Sequence, residues 1–348
     1  MLPRRQVLVA AVSVALWPLA AKAAPATVGA NPQDVANLGT PDHALETKIA
    51  DLAKAAGLDD VGFAAVDLVK GRTAFLRESE LFPMQAVSRL PIAIAFMRMV
   101  ERGKASLNQK IRLTFADIAP GRSPVAVRLR VRPTNFTARQ LIEHMLLNSD
   151  NTATDALLRL GGGPEKFQQE LNRLGGLEGL RIDRYERDLQ PESVGLHANA
   201  TYADAAKFDE AFEALGAEKQ TAALDRYLAD PRDTSSPRAL ALLYFKLLSG
   251  HVLELQHTDV LLSLMRRTKT GIDRLNAGML QGWTLAHRGG QSRTIQGISA
   301  VFHDSGLATS KSGNRIVLVV MIKRAAMGAA DLARFHSAVA RIVLNNWT

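Results

Sequence analysis

The segment Arg315-Ile-Val-Leu-Val-Val-Met-Ile322 limits most strongly what this chain can fold into. A near-continuous, β-branched run of this kind reads as a central strand, buried on both faces. Such a strand needs neighbours on either side, and the candidates stand at both ends of the chain. Residues 60–69 alternate, with Val61, Phe63 and Ala65 apolar, as a half-buried strand does. Lys70-Gly71 reads as a turn and 73–77 as the return strand. Late in the chain, 284–287, 297–302 and 314–322 are the strand candidates. Between the two groups the apolar period becomes helical. Residues 86–102 stop at Gly103, 137–148 open on a Thr137…Gln140 capping box, and 152–160 run to Gly161-Gly-Gly163. Residues 164–174, 201–215 and 236–248 follow, with Pro164 and Pro237 placed at first turns. Helices are also expected at 44–56 and 331–345. The order strands, helices, strands predicts an α+β fold. Its antiparallel five-stranded sheet is flanked by helices and built from both chain ends, 44–85 and 253–348. An all-helical domain, 86–252, is inserted between them.

The chain has 348 residues and a formal charge of +9, with no cysteine, so disulfides, thiolate metal sites and cysteine nucleophiles are excluded. Part of the charge sits in a leader-like segment. Arg4 and Arg5 precede Val7 to Ala21, which is apolar apart from Ser13 and Pro18, and Ala21-Lys22-Ala23 is a small-x-small cleavage pattern. Residues 1–23 therefore read as a secretory signal, with an uncleaved anchor as the alternative, and 24–43 as a linker. The run is short for a membrane span. Arg4-Arg5 loosely resembles a twin-arginine signal. A periplasmic or secreted, unanchored protein is expected. Cleavage removes three bases and no acid from 43 bases and 34 acids, which leaves +6. The densest basic stretch, Arg122 to Arg132, lacks an aromatic-rich nucleic-acid module and reads as a solvated face, so no nucleic-acid partner is expected. Eight histidines show no His-x-His or His-x-x-x-His spacing, so neither a metal nor a cofactor is expected. Gly161-Gly-Gly163 reads as a helix stop, because no strand precedes it and no Lys-Ser/Thr follows.

Ser149-Asp150-Asn151 joins two helices, and alone it reads as an N-cap as readily as a site. It has company. Phe82-Pro83-Met84-Gln85, Ser149-Asp150-Asn151-Thr152-Ala153, Arg181 to Leu189 around Glu186, Asp230-Pro231-Arg232-Asp233-Thr234 and Thr270-Gly271…Arg274 to Gly278 occur in one order. In that order the chain resembles the class A serine β-lactamases over roughly residues 44–347. The resemblance implies a serine-hydrolase fold. It places the nucleophilic serine at Ala86, its lysine at Arg89, the general-base glutamate at Glu186 and the Lys-Thr-Gly motif at Arg288-Gly289-Gly290. The oxyanion donors fall on the backbone N–H groups of Ala86 and Gln291.

Three of these positions are altered. The methyl of Ala86 cannot attack a carbonyl. Arg89 stays protonated and cannot take a proton as lysine can. Gly289 lacks the hydroxyl that would help hold a substrate carboxylate. Ser88 lies about 200° around the helix from Ala86 and reads as structural. The literal Lys269-Thr270-Gly271 follows a helical segment and reads as a decoy. Ser149, Asn151 and Glu186 are retained, and Arg288, Gly289, Gly290 and Gln291 are the candidate ligand-binding residues. Gln190 stands where the family has asparagine, which unsettles the placing of a hydrolytic water. Glu186 is open to two readings, a base or a partner of Arg89 or Arg184. Two functions follow. One is a monomeric pseudoenzyme whose basic pocket holds an anionic small molecule or peptidoglycan-like ligand. The other is a working hydrolase, acting on β-lactams in resistance or catabolism or on a related amide or ester, with water driven by Glu186 or with a recruited serine.

Overall fold

The computed structural model describes residues 38–348, so the expected signal segment and most of the linker lie outside the described residues. The chain begins with β1 (Thr40–Pro41), α1 (His43–Ala55), β2 (Val61–Asp67), β3 (Arg72–Leu76) and β4 (Phe82–Pro83). A 3₁₀ turn, Gln85–Ser88, leads into α2 (Arg89–Glu101), β5 (Lys110–Leu113), α3 (Pro124–Leu129), β6 (Thr134–Thr137), α4 (Ala138–Asn148) and α5 (Asn151–Leu160). Then come α6 (Pro164–Asn172), α7 (Glu186–Glu192), α8 (Ala205–Glu213), α9 (Gly216–Ala229), β7 (Thr234–Ser235), α10 (Pro237–Leu248) and α11 (Leu255–Arg266). The chain closes with β8 (Trp283–Gln291), β9 (Thr294–Ile295), β10 (Ile298–Ser310), β11 (Arg315–Ala325) and α12 (Ala329–Trp347).

The main sheet runs β1-β3-β2-β11-β10-β8, with β9 on the end of β10. Its five long strands are antiparallel, as expected. The two-residue β1 adds a parallel pairing to β3, so the end of the expected linker is sheet. β11 lies centrally and feeds two cores. Val317, Val319 and Met321 face α2, α10 and the helical block, whereas Ile316, Leu318, Val320 and Ile322 face α1 and α12. β2 departs from the half-buried reading and is buried throughout. Its second face carries Gly62 and Ala64, small enough to let helical residues approach. A Cβ on Gly62 would stand 2.6 Å from Phe82 and 2.7 Å from Pro237.

Two boundary corrections matter for the site. The late strands are longer than expected, and β8 takes in His287 to Gln291, so the Arg288-Gly289-Gly290 triplet lies on an edge strand rather than before one. The inserted domain is not wholly helical, since β5 pairs with β6, and β7 returns to pair with β4. Local signals behave as read elsewhere. Thr137 and Gln140 cap α4 reciprocally, and Ser236 caps α10 from one residue before Pro237. Residues 201–215 split at Asp204, which caps α8, and α9 follows directly. Together α8 and α9 build a third apolar cluster around Phe208, Phe212, Leu224 and Tyr227, which also takes in Leu189 of α7, Ile295 of β9 and Ala300 of β10.

Candidate functional site

Four chain segments converge where β8 meets the helical block. The 3₁₀ turn before α2 brings Ala86 and Arg89, the α4–α5 junction brings Ser149 and Asn151, α7 begins at Glu186, and β8 supplies Gly289 to Gln291. Gly290 permits this closeness. A Cβ there would stand 2.8 Å from the Met84 carbonyl and 3.1 Å from the Ala86 N–H nitrogen. Gln85 holds the turn in the left-handed region, at φ 46°, a conformation a non-glycine residue adopts at a cost. Its side chain is fixed at both ends. Nε2 donates to the Tyr227 hydroxyl at 2.7 Å, and Oε1 accepts from Gln190 Nε2 at 3.0 Å.

Ser149-Asp150-Asn151 divides its labour. Asp150 is the N-cap of α5, and it also accepts from the Val125 N–H and the Ser123 hydroxyl, both at 2.7 Å. Ser149 closes α4 in the left-handed conformation, at φ 59°, and lines the cavity. Asn151 is fully engaged, with Nδ2 donating to the Pro120 carbonyl at 2.7 Å and Oδ1 accepting from Arg89 Nη2 at 2.5 Å.

Arg89 is the centre of the site and is 1% exposed. Its Nη1 donates to Glu186 Oε1 and, at 3.2 Å, to the Ser88 hydroxyl. Gln190 Nε2 donates to the other Glu186 oxygen at 2.8 Å. Both carboxylate oxygens of Glu186 are therefore committed within the protein. Of the two partners weighed for Glu186, the structure uses Arg89. Arg184 instead closes the base of the 184–233 segment, donating to Asp233 at 2.6 Å and to Glu192 at 2.7 Å. Gln190 explains part of this arrangement, because its amide spans Glu186 and Gln85 together.

Below Glu186 lies a fully buried carboxylate that sequence reading passed over. Asp155 accepts from the backbone N–H groups of Glu186 at 2.6 Å and Arg187 at 3.1 Å, and so fixes the start of α7. Burial first, and then the Glu186 charge, push its pKa up to about 7, against the pull of the two N–H groups and Arg187. The folded value stands above the unfolded one, so the native state binds the extra proton. Stability from this group is present below its unfolded value of 3.8 and is lost as pH rises through about 7. The expected loss is roughly 4 kcal/mol at most. Denaturant unfolding of the native chain and Asp155→Asn across this range checks it. The native chain should lose stability more steeply with rising pH than the variant, and equal slopes would contradict the assignment.

A cavity of about 590 Å³ opens in front of these residues, lined by Ala86, Arg89, Ser149, Asn151 and Gly289 to Gln291. Arg288, expected to offer its charge there, is absent from the lining and 0% exposed. It ties the site together from behind, donating to the Leu146 carbonyl at 2.9 Å, the Ala86 carbonyl at 3.2 Å and the Thr268 hydroxyl at 3.2 Å. Burial, with Arg89 nearby, lowers its pKa to about 9, which still leaves it protonated at neutral pH. The cavity's cations come from elsewhere: Arg122, Lys269, Arg274 and Arg293 line it with Arg89, against a single acid, Asp273. Lys269-Thr270-Gly271 does not occupy the edge strand, in keeping with the decoy reading, yet all three residues line the cavity. Arg274 is buried over the Phe302 ring at 3.8 Å, donates to the His303 carbonyl at 2.6 Å and also bonds Gln291 Oε1. Arg293 is paired with Asp209 of α8 and lies over Phe208 and Phe212. The signal for Arg274 was present in Thr270-Gly271…Arg274, whereas Arg293 and Arg122 carry no local pattern.

The histidine spacing could not show that Glu101, Glu254 and His257 meet at the surface. There one Glu101 oxygen already accepts from the Glu254 N–H at 2.8 Å and contacts His257 Nδ1 at 2.7 Å.

Comparison with known proteins bears on the family and the fold. A profile of the Beta-lactamase enzyme family matches residues 44–347. The chain is 30% identical to β-lactamase AST-1 of Nocardia asteroides over 287 residues, 82% of this chain and 79% of that one. It is 25% identical to β-lactamase VEB-1 of Pseudomonas aeruginosa over 302 residues, 86% and 89% of the two chains. Among solved structures, a β-lactamase from Chitinophaga pinensis aligns with a TM-score of 0.71 at 25% identity, covering 88% of this chain and 100% of that one. A variant of PBP-A, captured as its acyl-enzyme complex with penicillin G, aligns with a TM-score of 0.68 at 25% identity, covering 88% and 97%. By fold, motif order and sequence, the chain belongs to the β-lactamase enzyme family, in its class A serine branch.

Proposed function

We propose that this protein is a non-catalytic member of its family, acting outside the cytoplasm as a binder of small anionic ligands. One observation carries the reading: Ala86 stands at the nucleophile position, and behind it Arg89 takes up Glu186 and Asn151 together. Covalent catalysis needs a nucleophile and a group to deprotonate it. Here the first is a methyl group, and the second position holds a permanent cation. The two sequence relatives reported above carry the name β-lactamase, and a hydrolase reading of this chain rests on Glu186 driving water directly. Against that reading, both Glu186 oxygens are already engaged inside the protein, one with Arg89 and the other with Gln190.

The cavity supports the binding half of the proposal. Arg89 and Arg293 are paired with Glu186 and Asp209, and the three other lining cations, Arg122, Lys269 and Arg274, against the one lining acid, Asp273, favour a carboxylate-bearing ligand. The leader-like residues 1–23 support export. Calorimetry with benzylpenicillin, followed by recovery of the ligand, tests both halves. Binding should be salt-sensitive, should weaken about tenfold or more in Lys269→Ala with Arg274→Ala, and should return intact ligand. Recovery of hydrolysed ligand at a rate well above that of water alone would overturn the reading.

A further inference from the structure

Many arginines of this chain have carboxylate partners, and one surface gathers several cations that have none. Lys110, Arg112, Arg122, Arg128, Arg130 and Arg132 have no carboxylate within ion-pair distance among the described residues, although arginines elsewhere pair repeatedly. Five of the six, all but Lys110, are arginines. No acid occurs in sequence between Asp117 and Glu143.

The fold gathers these residues. β5 exposes Lys110 and Arg112 on one face, and its pairing sets Arg112 opposite Asn135 and Lys110 opposite Thr137. Arg132 leads directly into β6, with its carbonyl accepting from the Thr134 hydroxyl at 3.2 Å. Arg128 lies close to His144, which packs edge-on against Phe136 of β6.

Apolar side chains stand among the charges. Val127 is 61% exposed and Val131 82% exposed. They are four residues apart on α3 and the turn that extends it, where the Val131 N–H donates to the Arg128 carbonyl, so they share a side. Phe115, 52% exposed, follows β5, and its turn meets residues 200–203, to which Arg130 also bonds through the Ala203 carbonyl.

We infer that the surface of β5, α3 and β6 is a docking face for an anionic phospholipid bilayer. The cations find lipid phosphates, while Val127, Val131 and Phe115 leave water at the headgroup boundary. A polyanion such as nucleic acid or an acidic polysaccharide would satisfy the arginines and leave the valines in water, which is why the bilayer is preferred. This surface is separate from the ligand proposal, apart from Arg122, which also lines the cavity.

Flotation of the full chain with phosphatidylcholine vesicles, with and without about one-quarter phosphatidylglycerol, tests the inference at about 50 mM and about 500 mM salt. Binding should require the anionic lipid and fade at high salt. Arg128→Ala with Arg132→Ala should weaken it about 25-fold, at about fivefold for each charge near the surface. Val127→Ser with Val131→Ser, at unchanged charge, should weaken vesicle binding severalfold while leaving capture by a DNA oligonucleotide or heparin unchanged. Residues 1–23 are common to all the variants, so binding through them would leave the arginine variant unaffected and would overturn the proposal. Absence of anionic-vesicle binding at low salt would overturn it too, as would tighter capture by DNA or heparin with no effect of the valine changes.

Discussion

Glu186→Ala should destabilise the protein by about 3–5 kcal/mol, because it strands a buried guanidinium. Arg89 is 1% exposed, and loss of Glu186 leaves Asn151 and Ser88 as its remaining neutral acceptors. For a chain of this size the melting temperature should fall by roughly 5–8 °C. Glu186→Gln should cost less, since an amide oxygen can still accept from Arg89. Removing both charges together, with Arg89→Met and Glu186→Leu, should recover most of the loss, because the penalty arises from an unpaired buried ion rather than from the pair itself. Urea unfolding followed by tryptophan fluorescence measures all four proteins. A glutamate kept as a catalytic base predicts another pattern, in which the alanine change abolishes turnover and leaves stability nearly unchanged.

Ala86→Ser with Arg89→Lys should convert a chain that forms no adduct into one that acquires a penicilloyl group. The close approach of β8 to the turn at Ala86 is already built, so the attacking oxygen would arrive in a formed site. Efficient hydrolysis should not follow. Gly289 supplies no hydroxyl for the substrate carboxylate, and a hydrogen bond to a charged group of that kind is worth about 10–100-fold in kcat/KM. Adding Gly289→Thr alone should not repair this, since a Cβ at Gly289 would stand 2.9 Å from Arg274 Nη1. The adduct should also persist, because Gln190 donates to Glu186 at 2.8 Å and so competes with a hydrolytic water for that carboxylate. Shortening that residue with Gln190→Asn should hasten release of the acyl group by about tenfold or more. Efficient turnover by the double variant alone would show that Gly289 and Gln190 matter less than their contacts indicate.

Much of the fold was legible because its signals are local. The 315–322 run announced a strand buried on two sides, and the Thr137…Gln140 capping box and Pro237 marked helix starts. β2 was read as half-buried because Gly62 and Ala64 look like gaps in a hydrophobic pattern, whereas in space they are clearances for Phe82 and Pro237. α9 was missed because its Gly-Ala-Glu-Lys-Gln-Thr start offers little apolar periodicity, and its buried face depends on residues brought by α8.

The site divided similarly. Residue identity was enough to show a missing nucleophile at Ala86 and a cation at Arg89. It could not show which acceptors a guanidinium finds, since two of the three Arg288 partners are backbone carbonyls from distant segments. Arg288 therefore read as a ligand-facing charge when it braces the site from behind, and Arg122, Lys269, Arg274 and Arg293 supply the cavity's rim instead. Asp155 looked like an ordinary helix residue, and only its position beneath α7 reveals that it holds Glu186 in place.

Intact mass spectrometry of the native chain after prolonged incubation with benzylpenicillin tests the central claim most directly. The account predicts one species at the unmodified mass, with Ser88 and Ser149 both unreacted. A stable, stoichiometric penicilloyl adduct on any serine would contradict it.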